Sequence, residues 1–246
     1  MSQTLRQTTI HVFEGWHLTA EGAAIHCHER TAVIADVHLG YEWARGAAGD
    51  CVPSHSLDET LQRLDRVLSR APIARLIVAG DLVESARPCH RTDEDVRQLR
   101  DWLQERGVAM IVLLGNHDRA RSPVASSARE AANALSQSYT VADWTIGHGD
   151  RPVAGARTIT GHLHPVMRTD GFAAPCFLVA PGRIILPAFS LNAAGLDVGT
   201  AALPRDWRSA GFQCLASTGD ELLDFGSLSG LRRLSPGGRA TRRPRG

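Results

Sequence analysis

Short apolar runs, bounded by glycine or polar residues, recur along the chain. Apolar runs of about four to eight residues without a helical repeat are typical of strands that are covered on both faces of a sheet. The pattern predicts strands over residues 23–28, 31–36, 74–79, 108–114, 139–146, 158–160 and 177–186. These strands are expected to form a central sheet, at least in the first half of the chain.

Segments between the early strands repeat apolar residues at the spacing of a helix. In one of them Leu57, Leu61 and Leu64 share a face, and Ser56 with Glu59 matches a capping box at the start of a helix. Two further helices are predicted over residues 92–106 and 124–135.

The order of these elements predicts the architecture. Strands and helices alternate in the first half, and strands with turns follow over residues 139–189 without a helical pattern. Such an order favours an α/β protein in which helices flank two packed sheets. We expect one domain over residues 1–234, followed by a disordered basic tail over residues 235–246, where Pro, Gly and Arg dominate.

Composition excludes several classes of function. All 27 basic residues of the 246 are arginine, which excludes Schiff-base chemistry and a phosphate-binding loop built on lysine. The net charge of +1 creates no field that would attract nucleic acid or an anionic membrane. The five cysteines form no CxxC pair, which argues against disulfides and a cysteine zinc site. Because no export signal or membrane span is visible either, a cytoplasmic location is expected.

Residues that bind metals stand where the predicted strands end. They occur in five segments: Asp36-Val37-His38, Gly80-Asp81, Gly115-Asn116-His117-Asp118, Gly147-His148 and Gly161-His162-Leu163-His164. Sites in open α/β sheets form beyond the carboxyl ends of strands, so we expect these segments to converge. Asp, Asn and His without Cys suit divalent ions such as Mn, Fe or Zn. Since one catalytic ion takes about three protein ligands, the larger number here favours two ions, which together can clamp a phosphate.

The ordered motifs D-x-H, GD, GNHD, GH and GHxH resemble those of the calcineurin-like metallophosphoesterases over residues 31–191. The resemblance implies a four-layer αββα sandwich of the metallo-dependent phosphatase type, with two packed mixed sheets flanked by helices. It implies that His117 is an unligated acid beside the substrate and that Asp118 orients it. It also implies two sets of metal ligands: Asp36, His38, Asp81 and His164 for one ion, and Asp81, Asn116, His148 and His162 for the other.

Within this family, residues 36–42 resemble the branch of the SbcD-type nucleases, and residues 161–165 resemble the bacterial DNA ligase-associated metallophosphoesterases. That resemblance implies a phosphodiesterase, typically dependent on manganese, with nucleotides or DNA or RNA ends as substrates and a role in DNA repair or end processing. It also implies a functional link to an ATP-dependent DNA ligase and a helicase. The sequence departs from the branch at Tyr41-Glu42, where a basic residue is usual, and at residues 190–195, where glycines are expected.

Two other functions remain open from the sequence. One is a phosphomonoesterase or nucleotide phosphatase on the same scaffold, and the other is a non-catalytic binding scaffold that metals stabilise. Candidate substrate-binding residues are Arg119 and Arg121, which follow the GNHD motif, and His55, which lies in the loop before the first predicted helix. Glu42 and Glu84 lie just past the metal motifs and could support the metal ligands, but they are interpreted mainly as ordinary surface or loop carboxylates.

Overall fold

The structure of the chain is a computed structural model that describes residues 7–85, 87–118, 137–169, 171–199, 203, 207 and 211–231. Some of the predictions fall outside these residues: the helix over 124–135, the tail over 235–246, Arg119 and Arg121. The single domain over residues 1–234 stays a prediction.

The first sheet consists of β1 (Thr9–Phe13), β2 (Trp16–Thr19), β3 (Ala24–His26), β4 (Thr31–Ile34), β5 (Arg75–Val78) and β6 (Ala109–Val112), hydrogen-bonded in that order. The strands from β1 to β4 pair antiparallel, whereas β4, β5 and β6 are parallel. The continuous apolar runs correctly predicted β3 to β6. Because β1 is a partly exposed edge strand with a mixed sequence, its pattern gave no strand signal.

Three helices accompany this sheet: α1 (Tyr41–Ala47), α2 (Ser56–Arg70) and α3 (His90–Glu105). Leu64 of α2 and Leu99 of α3 are fully buried in a cluster with Leu76 of β5, so these helices cover one face of the sheet. The predicted capping box is absent, because the start of α2 has no side-chain cap of its own. Instead, the backbone amide of Ser56 donates to the buried Glu42 carboxylate at 3.4 Å, so the interpretation of Glu42 as a surface residue was wrong.

The second sheet is also mixed. Its strands are β7 (Ser138–Val141), β8 (Trp144–Gly147), β9 (Thr158–Thr160), β10 (Pro165–Thr169), β11 (Phe172–Ala180), β12 (Arg183–Ile185), β13 (Leu196–Asp197), β14 (Gln213–Ser217) and β15 (Leu222–Ser227). Two of the predicted strands are hairpins. The chain turns at Ala142, with φ of 51°, and at Gly182, with φ of 69°, and each turn splits one predicted apolar run into two strands.

The main core lies between the two sheets. Trp16 and Ile77 of the first sheet are buried there with Trp144 and Phe177 of the second. The outer face of the second sheet is covered by a further apolar cluster, which includes Leu228 of the short helix α4 (Leu228–Leu231). The protein is thus an α/β sandwich of two mixed sheets flanked by helices, as predicted. Among the described residues, no helix is long and apolar enough to cross a membrane.

Candidate metal centre

Three loops at the carboxyl ends of β4, β5 and β6 build the first half of the site. The backbone amide of Asp36 donates to Gly80 O at 3.1 Å, and that of His38 donates to Asp81 O at 3.1 Å. These bonds extend the pairing of β4 and β5 beyond the strands. Asp36, His38 and Asp81 are consequently side by side and at most 5% exposed.

Two loops of the second sheet build the other half. His148 directly follows β8, and His162 lies in the loop after β9, which is the parallel neighbour of β8. The amide of Gly161 donates to His148 O at 2.9 Å, and the amide of His162 donates to Asp36 Oδ2 at 2.9 Å. This last bond joins the two sheets at the site.

One group of possible ligands consists of Asp36, His38 and His164, each of which offers a ligand atom within 4.8 Å of the others. His164 Nε2 lies 3.2 Å from Asp36 Oδ1 and 3.5 Å from His38 Nε2. Asp36 Oδ1 is buried and has no hydrogen-bond partner among the described residues, although ring nitrogens surround it. A buried carboxylate oxygen without a partner is costly, and a bound cation would remove that cost. The residues therefore fit a metal ion.

A second group consists of Asp81, His148 and His162. Around His148 Nε2 lie Asn116 Oδ1 at 3.0 Å, His162 Nδ1 at 3.1 Å and Asp81 Oδ2 at 3.3 Å. His148 Nδ1 lies 3.1 Å from Ala79 O, which can only accept a hydrogen bond. Nδ1 of the neutral ring therefore holds the proton, and the Nε2 lone pair points at the other three groups. This is the tautomer that a ligand imidazole needs.

The charges of the site favour a bound cation. Burial by itself lowers the pKa of His148, but the hydrogen bond with Asp81 and the charge of Asp36 outweigh it, so that the pKa is raised. Burial raises the pKa of Asp81, but the hydrogen bond with His148 reverses the shift, and the pKa is lowered. The interaction between the Asp81 carboxylate and the His148 ring contributes to both shifts, because each group stabilises the charged form of the other.

Backbone strain is concentrated at the predicted ligands. Among the described residues, the non-glycine positions with positive φ are Arg30, Asp36, His38, Asp81, Ala142, His162 and His164. Five of these seven are predicted ligands. Left-handed backbone at non-glycine residues costs about 1–3 kcal/mol each and is found where function requires it. The fold thus holds these side chains in place at the expense of local stability.

The glycines of the motifs make room for the ligands. A Cβ atom on Gly115 would lie 2.0 Å from Asp81 Oδ1, and one on Gly161 would lie 2.4 Å from Asp36 Oδ2. On Gly80 it would lie 2.4 Å from the ring of His148. The ligands of one loop pack directly against the backbone of the next, which explains why glycine precedes so many of them.

His117 lies beside the first group, with its ring centroid 5.1 Å from that of His38. Its Nδ1 contacts Glu84 O, and its backbone amide donates to Asp81 Oδ1 at 2.8 Å. Asp118, which was expected to orient the ring, has other partners. Its carboxylate accepts bonds from the backbone amides of Gly115, Val83 and Leu82 at 3.0, 3.3 and 3.4 Å.

Asp118 therefore fixes the loop rather than the ring. Burial raises its pKa, the charge of Asp81 adds to the shift, and the three amide bonds oppose it. Because these amides belong to the loops after β5 and β6, Asp118 holds together the two segments that present Asp81 and His117.

Two further candidates are His55, which lies outside the two groups, and Glu84, which contacts one of their members. His55 is exposed just before α2, and neither group includes it. Glu84, interpreted mainly as an ordinary surface or loop carboxylate, lies half-buried in a loop with Oε2 2.9 Å from His38 Nδ1. The contact forms because the loop after β5 turns back towards β4, where the amide of Glu84 donates to Leu39 O at 3.0 Å. The short-range sequence contains no signal for this contact.

Comparison with known proteins identifies the family. The family model of the calcineurin-like phosphoesterases matches residues 29–172, more than half of the 246 residues. The chain belongs to the calcineurin-like phosphoesterases. The chain is therefore a metal-dependent phosphoesterase, and its two groups of candidate ligands suit divalent metal ions.

Two individual proteins are similar to this calcineurin-like phosphoesterase. It is 32% identical over 92 residues to the DNA double-strand break repair protein Mre11 of Methanopyrus kandleri. That match covers 37% of this chain and 20% of the relative, so the chain spans only a small part of the relative's length. The crystal structure of the Pseudomonas putida nuclease MPE superposes with a TM-score of 0.66 at 22% identity, over 88% of this chain and 98% of that one. This second likeness is one of fold.

Proposed function

We propose that the protein is a dinuclear-metal phosphodiesterase that hydrolyses nucleotide or nucleic-acid phosphodiesters. The observation behind the proposal is the adjacency of two ligand groups in one crevice. His148 connects them, because its Nε2 faces Asp81 at 3.3 Å while its Nδ1 lies 3.5 Å from Asp36 Oδ1. Two ions held so close together are the arrangement that clamps a phosphate.

In this proposal the two ligand sets are those expected from the motifs: Asp36, His38, Asp81 and His164 for one ion, and Asp81, Asn116, His148 and His162 for the other. A mixture of imidazole and oxygen donors without sulfur suits Mn, Fe or Zn, and the resemblance to the DNA ligase-associated branch favours Mn²⁺. Divalent ions bound there supply Lewis acidity to the phosphate oxygens and activate water. The role of Asp81 as a bridge is part of the proposal.

His117 is the proposed general acid. Its Nδ1 contacts Glu84 O, an acceptor, so Nδ1 keeps its proton, and the doubly protonated ring would donate its second proton from Nε2 to the leaving oxygen. Proton donation by a positioned imidazole contributes about 10²- to 10⁴-fold to a rate. Asp118 supports this step by holding the backbone on which His117 is presented.

The names of the relatives support a nucleic-acid substrate. One is a DNA double-strand break repair protein and the other is a nuclease. Membership of the DNA ligase-associated branch, action on DNA or RNA ends in repair, a functional link to a ligase and a helicase, and a cytoplasmic location belong to the same proposal. Substrate contacts by Arg119, Arg121 and His55 are its least supported part.

Hydrolysis of bis-p-nitrophenyl phosphate with Mn²⁺ tests the proposal, with p-nitrophenyl phosphate and a chelator in parallel. We expect metal-dependent cleavage of the diester that is slower in His117→Ala. His28→Ala is the matched control, because this exposed histidine precedes β4 and so lies at the opposite end of that strand from the site. Cleavage of the monoester alone would replace the proposal with a phosphatase. If neither ester is cleaved while metal is bound, a binding scaffold is indicated.

A further inference from the structure

Glu84 contacts two imidazoles of the site with two different groups. Its carboxylate oxygen Oε2 lies 2.9 Å from His38 Nδ1, and its main-chain carbonyl contacts His117 Nδ1. The side chain is 25% exposed, whereas that of His38 is 6% exposed. Glu84 thus lies at the border between the candidate metal ligands and solvent.

The His38 ring is oriented for ligation through Nε2. That atom faces His164 Nε2 at 3.5 Å, inside the first ligand group, while Nδ1 points away from the group. Nδ1 is buried and has no aligned hydrogen-bond partner among the described residues. The Glu84 carboxylate oxygen Oε2, at 2.9 Å, is within hydrogen-bond distance of it.

The main chain of Glu84 is held independently of its side chain. Its amide donates to Leu39 O at 3.0 Å, in the loop that also presents His38. The carbonyl that contacts His117 therefore stays in place when the side chain is changed. The two contacts of Glu84 can be separated by mutation.

We propose that Glu84 is a positioning residue that sets the tautomers of both imidazoles. Its carboxylate holds the proton of His38 on Nδ1 and leaves Nε2 for the metal, while its carbonyl holds the Nδ1 proton of His117 and leaves Nε2 for the substrate. A carboxylate behind a ligand imidazole fixes the ring and increases its basicity. The inference rests on the proposed function for the roles of the metal and of His117.

A competing interpretation makes Glu84 a metal ligand. Glu84, His38 and His117 each offer one ligand atom within 4.8 Å of the others. In that arrangement His38 would bind the metal through Nδ1, and its Nε2 would not be a ligand in the group with Asp36 and His164. The two interpretations predict opposite tautomers for His38.

Mn²⁺ titration of the metal-free protein by calorimetry separates these interpretations. We expect Glu84→Ala to weaken the affinity of one ion by about 10- to 100-fold, the usual effect of removing the group behind a ligand imidazole, with an unchanged number of bound ions. Glu84→Gln should recover most of the affinity, because its amide oxygen still accepts from Nδ1. Glu94→Ala, which removes an exposed carboxylate on α3, is the matched control.

The nitrogen chemical shifts of His38 give a second readout that needs neither metal nor turnover. We expect the Nδ1–H form in the metal-free wild type and in Glu84→Gln, and a mixture of tautomers in Glu84→Ala. An unchanged tautomer in Glu84→Ala, together with unchanged Mn²⁺ affinity, would overturn the inference. Loss of one bound ion without recovery in Glu84→Gln would also overturn it, in favour of direct ligation. If the wild type shows these chemical shifts but does not hydrolyse phosphodiesters, the proposed function is refuted and the inference about Glu84 is not.

Discussion

The two halves of the metal centre are built differently. In the first sheet, Asp36, His38 and Asp81 follow neighbouring parallel strands, and backbone hydrogen bonds between their loops extend the strand pairing. In the second sheet, His162 and His164 lie in a loop that is only half-buried. That loop is attached to the first sheet through a side chain, because the amide of His162 donates to Asp36 Oδ2.

In both buried carboxylates, Asp36 and Asp81, the two oxygens have different partners. One oxygen of Asp36 accepts the amide of His162, and the other, Oδ1, is the buried atom without a partner among the described residues. Asp81 has the same division, since Oδ1 accepts the amide of His117 while Oδ2 faces His148. Each carboxylate uses one oxygen to fix a neighbouring loop, and its other oxygen faces imidazole nitrogens of the candidate site. The second half of the site therefore depends on the first.

The largest effect is expected from Asp36, where the two roles can be separated. Asp36→Ala removes both the proposed ligand and the contact between the sheets. Phosphodiester turnover should therefore fall by about 10⁴-fold or more, where each factor of ten corresponds to ~1.4 kcal/mol of activation free energy. Asp36→Asn retains an amide oxygen that can accept from His162. We expect it to lose metal as well, but to keep a thermal stability closer to that of the wild type.

Both variants are compared by metal content, turnover and thermal unfolding. Asp58→Asn, which neutralises an exposed carboxylate on α2, is a suitable control for the loss of a charge. Equal stabilities of Asp36→Ala and Asp36→Asn would show that the bond to His162 contributes nothing, and the division of roles would be wrong.

His117 belongs to the first half of the site by position but to neither ligand set in our proposal. His117→Ala should reduce kcat by about 10²- to 10³-fold, in the range for a positioned acid, with Mn²⁺ affinity within a few-fold of wild type. A substrate with a better leaving group should reduce the defect, since it needs less protonation. A large loss of bound metal instead would make His117 a ligand.

Much of this site could be predicted from the sequence, because a strand end is a local feature. Each of Asp36, Asp81 and Asn116 follows an apolar run by one to four residues, and parallel strands bring their carboxyl ends to one edge. Neither step requires knowledge of distant contacts. The same reasoning explains why the first sheet was predicted better than the second, where turns at Ala142 and Gly182 divide longer runs.

The contacts of the remaining carboxylates could not be predicted. Glu42, Glu84 and Asp118 occur in loop or helix segments in which a solvated carboxylate and a buried one have the same local pattern. Their partners are the amide of Ser56, the ring of His38 and the amide of Gly115, and which of these a carboxylate meets depends on how the loops fold back. Only the tertiary structure contains that information.

Removal of the metal should affect the second half of the site more than the first. Ligands present at about 100 times their Kd stabilise a fold by about 2.7 kcal/mol, so chelation should lower Tm by about 5–10 °C in a chain of this size. After chelation, the rate of amide hydrogen exchange should rise most over residues 161–164. It should rise less over residues 81–83, because the backbone pairing of that loop remains without metal. A uniform rise over both loops would contradict the difference between the halves.

The smallest effects are expected from the two glycines that contact the carboxylates. A Cβ on Gly115 would lie 2.0 Å from Asp81 Oδ1 and 2.3 Å from the backbone nitrogen of Asp81, whereas one on Gly161 would lie 2.4 Å from Ala35 Cβ and from Asp36 Oδ2. Both substitutions to alanine should destabilise the fold by about 1–3 kcal/mol through overpacking, and Gly115→Ala should cost more.

Gly46→Ala is the matched control for these variants, because the added Cβ on α1 would have no atom within 4 Å. Alanine favours a helix over glycine by about 0.5–1 kcal/mol, so this variant should be neutral or slightly stabilised. Urea unfolding of the three variants measures the order of their stabilities. A higher cost for Gly161→Ala than for Gly115→Ala would mean that the contact between the sheets is more rigid than the paired loops within the first sheet, and the comparison of the two halves would have to be reversed.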